Sequence, residues 1–186
     1  MEKPEILKLA KSKLDLVILA GGKGSRIKSF LGKSPKPMLK FNGKNFIQYL
    51  LNKFSKYNFR RIIILTGYRG NVISKKFNNT FQNFIRISCI RERKIMGTGG
   101  ALYSLKKLKV KDFVLVNGDT IFDIDLKELL GSISKNSVGS IALIKNKNSN
   151  DNKLNNLKLI NNFVSVKNSG NLMNGGTYYF KKHIFA

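Results

Sequence analysis

The chain alternates short apolar runs with segments in which apolar residues recur every three or four positions. The runs have the length and β-branched content of buried strands, and the second spacing is typical of helices with one apolar face. Strands are predicted at Leu16 to Ala20, Ile62 to Leu65, Ile85 to Ile90, Phe113 to Val116 and Val138 to Ile144. Helices are predicted at Asn45 to Tyr57, around Val72 to Phe77, from Thr98 onward and at Leu126 to Lys135. This alternation predicts an α/β domain whose mostly parallel sheet is covered on both faces.

The carboxyl-terminal part of the chain follows a different pattern. The stretch from Lys145 to Asn156 is polar and rich in Asn and Lys, which predicts an exposed loop. Strands follow at Lys158 to Ile160, Phe163 to Val166 and Thr177 to Phe180, with a hairpin turn at Asn161 and Asn162. Because no internal repeat occurs, one domain is predicted over residues 14–186, preceded by a polar extension over residues 1–13.

Composition excludes several classes of protein. The single cysteine, Cys89, alternates with Ile85 and Ile87, which predicts a buried strand thiol and excludes a disulfide framework. No apolar run approaches the roughly 20 residues that a membrane-spanning helix needs, and the first residues do not resemble a signal peptide. We therefore expect a cytoplasmic protein without a membrane partner.

The charge of the chain is unusual in size and in distribution. The formal net charge is +25, from 35 Lys and Arg against 10 Asp and Glu. Leu16 to Arg91 contains no acid at all, whereas five acids fall between Asp112 and Glu128. Such a field attracts polyanions, which include nucleotides and nucleic acids. The dispersal of the basic residues and the lack of a nucleic-acid-binding signature count against nucleic acid, and a general lysine-rich bias is the alternative.

The loop after the first predicted strand carries the most specific chemistry. Gly21 and Gly22 end that strand, and Gly24, Ser25 and Arg26 follow in the same loop. Glycines allow backbone N–H groups to approach phosphate oxygens closely, although a plain strand-to-helix turn also favours glycine. Lys36 follows between two prolines, which restrict its backbone and present its ammonium from a stiff support. The combination indicates a polyphosphate site.

These residues belong to a set of motifs that resembles a known family, the sugar-nucleotide pyrophosphorylases. The set comprises LAGGKGSR with SPKPML, GTGGAL at Gly97 to Leu102, VNGDTIFDIDL at Val116 to Leu126 and NGGTYYF at Asn174 to Phe180. The sequences of these motifs are most similar to those of bacterial D-glycero-D-manno-heptose 1-phosphate guanylyltransferases and their mannose 1-phosphate relatives. The resemblance runs from about Leu14 to the last residue. It implies a Rossmann-like three-layer sandwich with a mixed, mostly parallel sheet, of the nucleotide-diphospho-sugar transferase type.

The resemblance also implies an activity and a metal. Such enzymes join a nucleoside triphosphate to a sugar 1-phosphate and release pyrophosphate, here for surface-polysaccharide precursors. Asp119 follows a predicted strand in N-G-D, and the matching aspartate of the family holds the catalytic Mg²⁺. A single carboxylate near phosphates is an ordinary Mg²⁺ ligand. An Asx turn or helix cap is the alternative, and we favour it for Asp123 and Asp125.

The remaining site residues take their roles from the same motifs. Arg26 would neutralise the leaving phosphates, and Lys36 would contact the α-phosphate and the sugar phosphate. The nucleotide-binding set is predicted to be Leu19, Ala20, Gly21, Gly22, Gly24, Ser25, Arg26, Glu92, Gly97, Thr98 and Gly118. Asn174 and Gly175 match the sugar-contacting turn, although they could simply form the turn before a strand. Ser25 stands where the family usually has Thr, and the hydroxyl is retained.

Base preference depends on Glu92, the one acid between Leu16 and Lys111. A carboxylate can accept the N1–H and N2–H₂ donors of guanine together, so Glu92 is predicted to read GTP. A salt bridge with Arg91 or Arg93 is the alternative. Uridylyl and cytidylyl transfer also stay open, because related uridylyltransferases can carry an acid nearby.

Two further expectations concern the chain as a whole. The family continues into a segment with a second metal-binding aspartate, and no acid follows Asp151 here. We therefore expect a carboxyl-terminally truncated enzyme with impaired transfer. A non-catalytic protein that binds nucleotides or other polyanions is the competing function, and the oligomeric state is not predicted.

Overall fold

The computed structural model describes residues 14–25, 32, 34–92, 97–145, 157–166 and 170–185. Its main sheet contains nine strands within these ranges. The strands are β1 (Asp15–Ala20), β4 (Arg61–Thr66), β5 (Phe81–Gln82), β6 (Ile85–Arg91), β7 (Phe113–Asn117), β8 (Gly139–Lys145), β9 (Leu157–Ile160), β10 (Phe163–Val166) and β11 (Leu172–Phe180). A separate ribbon pairs β2 (Lys40–Phe41) with β3 (Lys44–Asn45). The helices are α1 (Phe46–Phe54), α2 (Gly70–Phe77), α3 (Gly97–Lys106) and α4 (Leu126–Gly131).

The sheet is mixed, with a parallel centre. Its order is β10-β9-β11-β7-β1-β4-β6-β5, and β8 pairs with β11 outside this path. Strand β1 runs parallel to both β4 and β7, and β4 runs parallel to β6. Strands β8 to β11 add antiparallel pairs beside β7. The predicted mixed, mostly parallel α/β sheet is confirmed.

Apolar side chains cover the sheet on both faces. On one face Leu16, Ile18 and Ile64 pack with residues of α1, α2 and α4. On the other face Val17 and Leu115 pack with Leu105 of α3 and with the 3₁₀ turn that follows β11. Burial on both faces explains why the central strands are continuous apolar runs, since alternation with polar residues would expose charge to the core.

The largest differences in extent between prediction and structure concern two elements. The helix predicted at Leu126 to Lys135 ends at Gly131. Ser132 begins a turn there, and its hydroxyl donates a hydrogen bond to the Leu129 carbonyl. The last strand begins at Leu172 rather than Thr177, and its pairing with β8 shifts register between Asn174 and Tyr178. A bulge of this kind interrupts the alternation of apolar and polar residues, so the first part of the strand is not predicted from the sequence pattern.

Other local predictions are confirmed. Asn161 and Asn162 join β9 to β10 with left-handed backbones, φ 48° and 64°, as a tight hairpin of this kind requires. Leu102 and Leu105 of α3 point into the core. Cys89 is the exception: it lies on strand β6 as predicted, but it is only partly buried. This burial raises its pKa to about 11, so the thiol stays protonated at neutral pH.

Acids at the amino ends of the strands serve the fold. Asp15 is fully buried and accepts hydrogen bonds from Nε and Nη2 of Arg60 at 2.8 and 2.7 Å. Arg61 donates to the same carboxylate at 3.2 Å. The hydrogen bond with Asp15 raises the pKa of Arg60. Asp112 accepts from the hydroxyl of Tyr179, whose pKa is raised to about 12, mainly by burial. These acids lie at the amino edge, away from the carboxyl ends where the candidate site residues gather.

Candidate functional site

The predicted site residues gather where the parallel strands end, at the carboxyl edge of the sheet. The backbones after β1, β4 and β7 approach one another through the glycines Gly21, Gly67 and Gly118. The N–H of Gly118 donates to the Leu19 carbonyl at 2.8 Å, and the N–H of Tyr68 donates to the Gly21 carbonyl at 3.1 Å. A Cβ atom on Gly118 would lie 2.5 Å from the Leu19 oxygen, and one on Gly67 would lie 2.7 Å from the Gly21 oxygen. Only glycine allows this approach.

The predicted phosphate loop begins at this edge. Ala20 is buried and Leu19 is half-buried at the end of β1, so the polar loop starts directly from the core. Gly22 and Ser25 are exposed, and Gly24 has a left-handed backbone with φ 61°. Exposed amides beside a left-handed turn can form an anion-binding concavity. Arg26 lies outside the described residues.

Lys36 and Asp119 form the central contact of the site. Nζ of Lys36 donates to Oδ2 of Asp119 at 2.8 Å, across 83 positions of sequence. Both side chains are partly exposed, at 35% and 39%. The two were singled out from separate motifs, and the structure brings them together.

Local sequence explains how each partner is held. Lys36 is the first residue of a short 3₁₀ helix, Lys36–Met38. Its two neighbours in sequence, Pro35 and Pro37, are both buried. The lysine stem therefore leaves a fixed backbone, as the proline pair predicts. Asp119 follows β7 in a turn after Gly118, and the hydroxyl of Thr120 donates to its other oxygen, Oδ1, at 3.3 Å.

This donor set fits a divalent metal ion that is shared with a substrate. Among the described residues, no group of three or more His, Cys, Asp or Glu could hold a metal alone. Asp119 nevertheless holds a cation now, because the ammonium of Lys36 stands at its carboxylate. One carboxylate with phosphate oxygens and waters is a common Mg²⁺ environment.

Glu92 lies against the start of the phosphate loop. Its N–H donates to the Thr66 carbonyl at 2.8 Å, which continues the β6 ladder past its end. Cβ atoms built on Gly21 and Gly67 would lie 3.1 and 3.2 Å from its Oε2. Burial raises the pKa of this carboxyl. Within the described part of the chain Glu92 forms no salt bridge with Arg91, and Arg93 lies outside it.

The glycine-rich segment after Glu92 opens a helix. Gly97 is the first residue of α3 and Thr98 is the second, one position earlier than the helix start predicted from the sequence. A Cβ atom on Gly99 would meet none of the described residues within 4 Å.

The predicted sugar turn lies at the bulge of β11. Oδ1 of Asn174 accepts the Gly176 N–H at 2.8 Å, and its Nδ2 donates to the Tyr178 hydroxyl at 2.5 Å. Gly175 is buried against Phe122, and a Cβ atom built on this glycine would lie 3.2 Å from the phenyl ring. Asn174 is exposed, but both polar atoms of its side-chain amide are already hydrogen-bonded within the bulge. The turn reading is thus supported, and sugar contact stays a prediction.

Sequence reasoning missed several residues at this edge. Gly176 has φ 73°, and its ideal Cβ would lie 2.8 Å from Nδ2 of Asn117. Arg69 has a left-handed backbone, φ 52°, and donates to the Gly32 carbonyl at 2.6 Å. The signal was present in G-Y-R-G, which follows β4 as the glycine loop follows β1. Neighbouring parallel strands end together, so their loops are neighbours.

The two acids predicted as Asx turns or caps behave differently. Asp125 caps α4 by accepting the Lys127 N–H at 2.8 Å, as predicted. For Asp123 the cap interpretation is wrong. Its carboxylate pairs with Nζ of Lys53 at 2.6 Å, and this pairing lowers its pKa. The partner is 70 positions away and could not be read from local sequence.

In the described ranges, no helix is both long enough and apolar enough to cross a membrane.

Comparison with known proteins identifies relatives over nearly the whole chain. The family model described as nucleotidyl transferase matches residues 16–186. The D-glycero-alpha-D-manno-heptose 1-phosphate guanylyltransferase of Campylobacter jejuni is 32% identical over 92% of this chain and 78% of its own length. The bifunctional protein GlmU of Methanococcus aeolicus is also 32% identical, but the chain spans only 41% of it.

Solved structures agree with these sequence relatives. The crystal structure of HddC from Yersinia pseudotuberculosis is 30% identical, with a TM-score of 0.75, and the match covers 92% of this chain and 78% of that protein. The same protein complexed with GMP-PN matches with a TM-score of 0.74. The inositol-1-phosphate CTP transferase from T. maritima, at 18% identity and a TM-score of 0.71, shares the fold.

Proposed function

The chain belongs to the nucleotidyl transferase family, and we propose that it transfers a guanylyl group from GTP to a sugar 1-phosphate of the heptose or mannose type. Pyrophosphate and a nucleotide-sugar are the products, the latter an activated precursor for surface polysaccharide. The observation that carries the proposal is the 2.8 Å pair of Lys36 and Asp119 beside the glycine loop. It joins a cation on a fixed backbone and a carboxylate at the place where a triphosphate would lie.

The chemistry asks for positioning and charge stabilisation. An oxygen of the sugar 1-phosphate attacks the α-phosphorus in line, a new P–O bond forms, and the bond to pyrophosphate breaks. Lys36 would hold the α-phosphate and the attacking phosphate, where negative charge crowds. Amides of Gly21, Gly22, Gly24 and Ser25 would receive the β- and γ-phosphates, and we propose Arg26 as their countercharge.

The residues present fit a metal ion at Asp119. When bound, Mg²⁺ supplies neutralising charge to the phosphates, as in other phosphoryl-transfer sites. Asp119 would direct one carboxylate oxygen toward it, and Thr120 would keep the other oxygen oriented through their 3.3 Å hydrogen bond. Gly118 allows this turn to lie directly against β1.

Three observations support GTP as the donor. Glu92 places a carboxylate beside Gly21, where it can accept the two donors on one edge of guanine. Two relatives are named heptose 1-phosphate guanylyltransferases. The HddC structure carries GMP-PN. Gly97 and Thr98 would lie beside the nucleoside, and Asn174 and Gly175 would border the sugar phosphate.

A substrate panel tests the proposal. We would measure pyrophosphate release for GTP, UTP, CTP and dTTP, each with heptose, mannose, glucose and N-acetylglucosamine 1-phosphates. GTP with heptose 1-phosphate or mannose 1-phosphate should release pyrophosphate fastest. Preference for UTP or CTP would assign a different base. Binding of GTP without release from any pair would favour the non-catalytic function, which the net charge of +25 makes the second candidate.

A further inference from the structure

The carboxylate of Asp119 is already engaged through both of its oxygens. Oδ2 accepts from Nζ of Lys36 at 2.8 Å, and Oδ1 accepts from the Thr120 hydroxyl at 3.3 Å. We infer that Lys36 and a divalent metal ion compete for Asp119, so the ammonium must move before the carboxylate can bind metal. This inference rests on the proposed function, since it takes Asp119 as the metal ligand.

The competition follows from distance and charge. A carboxylate oxygen binds Mg²⁺ at about 2.0–2.1 Å. An ammonium within hydrogen-bond distance of the same oxygen would then stand a few ångströms from a doubly charged ion. Two cations at that separation repel each other, and the partly exposed site screens the repulsion only in part. Simultaneous contact of Lys36 and the metal ion with Oδ2 is therefore electrostatically unfavourable.

The lysine can leave without disturbing the fold. Its backbone is held by two buried prolines, whereas its side chain is partly exposed. Rotation of the four-carbon stem would carry Nζ from the carboxylate toward a phosphate oxygen of a bound triphosphate. Metal ion alone should consequently bind weakly. A triphosphate offers Lys36 another anion, so metal and triphosphate should bind together more tightly than each binds separately.

The test measures metal binding and needs no turnover. Mn²⁺ is titrated into the full 186-residue chain without nucleotide, and free Mn²⁺ is followed by electron paramagnetic resonance. Lys36→Met removes the competing charge and keeps the apolar stem. Lys36→Arg keeps the charge. Lys53→Met is the matched control, because it breaks the 2.6 Å pair with Asp123, another Lys–Asp pair across distant positions.

The outcomes distinguish failure of the proposed competition from failure of the proposed metal role of Asp119. We expect Lys36→Met to lower the Kd for Mn²⁺ at least about threefold, the scale on which an exposed ion pair acts. Lys36→Arg and Lys53→Met should match the wild type, and Asp119→Asn should bind more weakly. If Asp119→Asn weakens binding but Lys36→Met does not tighten it, the competition is overturned and the metal role stands. If Asp119→Asn binds Mn²⁺ like the wild type, the metal role itself fails.

Discussion

At the scale of single residues, the proposed chemistry of this protein rests on Lys36, Asp119 and Glu92. Each is charged, each lies at the carboxyl edge of the parallel strands, and none is fully buried. The acids that are most deeply engaged elsewhere, Asp15 and Asp112, hold the opposite edge together. Asp15 and Asp112 thus stabilise the fold at the amino edge, whereas Asp119 and Glu92 lie at the carboxyl edge where we propose that ligands bind.

Asp119→Asn should remove nearly all turnover while the protein stays folded. The amide loses the negative charge that would hold Mg²⁺ against the phosphates, yet it fits the same exposed turn. Pyrophosphate release at saturating Mg²⁺, with the thermal midpoint as the folding control, checks this. Activity equal to the wild type would contradict the metal role.

Lys36→Ala should lower the rate by about 10²–10³-fold, the scale seen when one preorganised charge-stabilising donor is lost. Arg26→Ala should cost a similar factor but act on triphosphate affinity, because its proposed contacts are with the leaving phosphates. Separate kcat and KM values distinguish the two. Small, equal effects from both changes would indicate ordinary solvated surface charge.

Glu92→Gln should weaken the preference for GTP over other triphosphates, since one acceptor oxygen becomes a donor that faces the donors of guanine. Burial raises the pKa of Glu92, so the acceptor carboxylate is lost as the pH falls, at a higher pH than for an exposed glutamate. The ratio of kcat/KM for GTP to that for UTP should therefore decline toward acidic pH. A ratio independent of pH and of this substitution would exclude Glu92 as the base reader.

At the scale of elements, the site depends on strands that end together and on glycines that let their loops touch. Strands β1, β4 and β7 are parallel neighbours, so the loop carrying Gly21, the turn carrying Gly67 and the turn carrying Asp119 emerge side by side. Helices α1, α2 and α4 cover one face and α3 covers the other. The edge itself is left for ligands.

Gly118→Ala should damage both stability and turnover, because its Cβ would lie 2.5 Å from the Leu19 carbonyl oxygen and would push the Asp119 turn away from β1. The nearest atoms all belong to the backbone of Leu19 and Ala20, so no flexible side chain can yield, and a loss of about 1–3 kcal/mol is expected from overpacking. Urea unfolding and pyrophosphate release measure the two effects.

Gly131→Ala provides the control for this prediction. It lies at the end of α4, where an added Cβ would meet none of the described residues within 4 Å. Its stability and activity should match or slightly exceed those of the wild type, since alanine favours a helix over glycine. Equal behaviour of the two alanine variants would show that the close approach at Gly118 does not matter.

At the scale of the whole molecule, net charge is the dominant property. A charge of +25 creates a field that favours polyanion encounter. The acids are few, and several are neutralised by specific partners, such as Asp15 by Arg60 and Asp123 by Lys53. Little negative charge is therefore left at the surface to offset the lysines.

Raising the salt concentration from about 0.05 to 0.5 M should increase KM for the triphosphate several-fold with little change in kcat, because the Debye length falls from roughly 14 to 4 Å over that range. The chemical step occurs between groups in contact and is screened less. Steady-state kinetics in NaCl, with Mg²⁺ kept saturating, checks this. A KM that does not respond to salt would show that the basic composition has no part in capture.

Much of the fold followed from the sequence because its signals are local. Five apolar runs and several amphipathic segments predicted the strands and helices, and paired asparagines predicted the hairpin at Asn161 and Asn162. Bounds were missed where a local turn or a bulge interrupts the regular pattern. The helix α4 stops early because Ser132 turns back onto Leu129, and β11 extends through a bulge that breaks its alternation.

The sequence by itself determined the chemical types of the site and the motifs that carry them: a glycine loop, a lysine between prolines and an aspartate after a strand. Only the tertiary structure decided which of these groups meet. Lys36 reaches Asp119 across 83 positions, and Lys53 reaches Asp123 across 70. Glu92 comes to lie against Gly21 and Gly67. Motifs and periodicities are set by neighbours along the chain, whereas charge pairing is set by strand order in the sheet, and that order depends on packing between segments far apart in sequence.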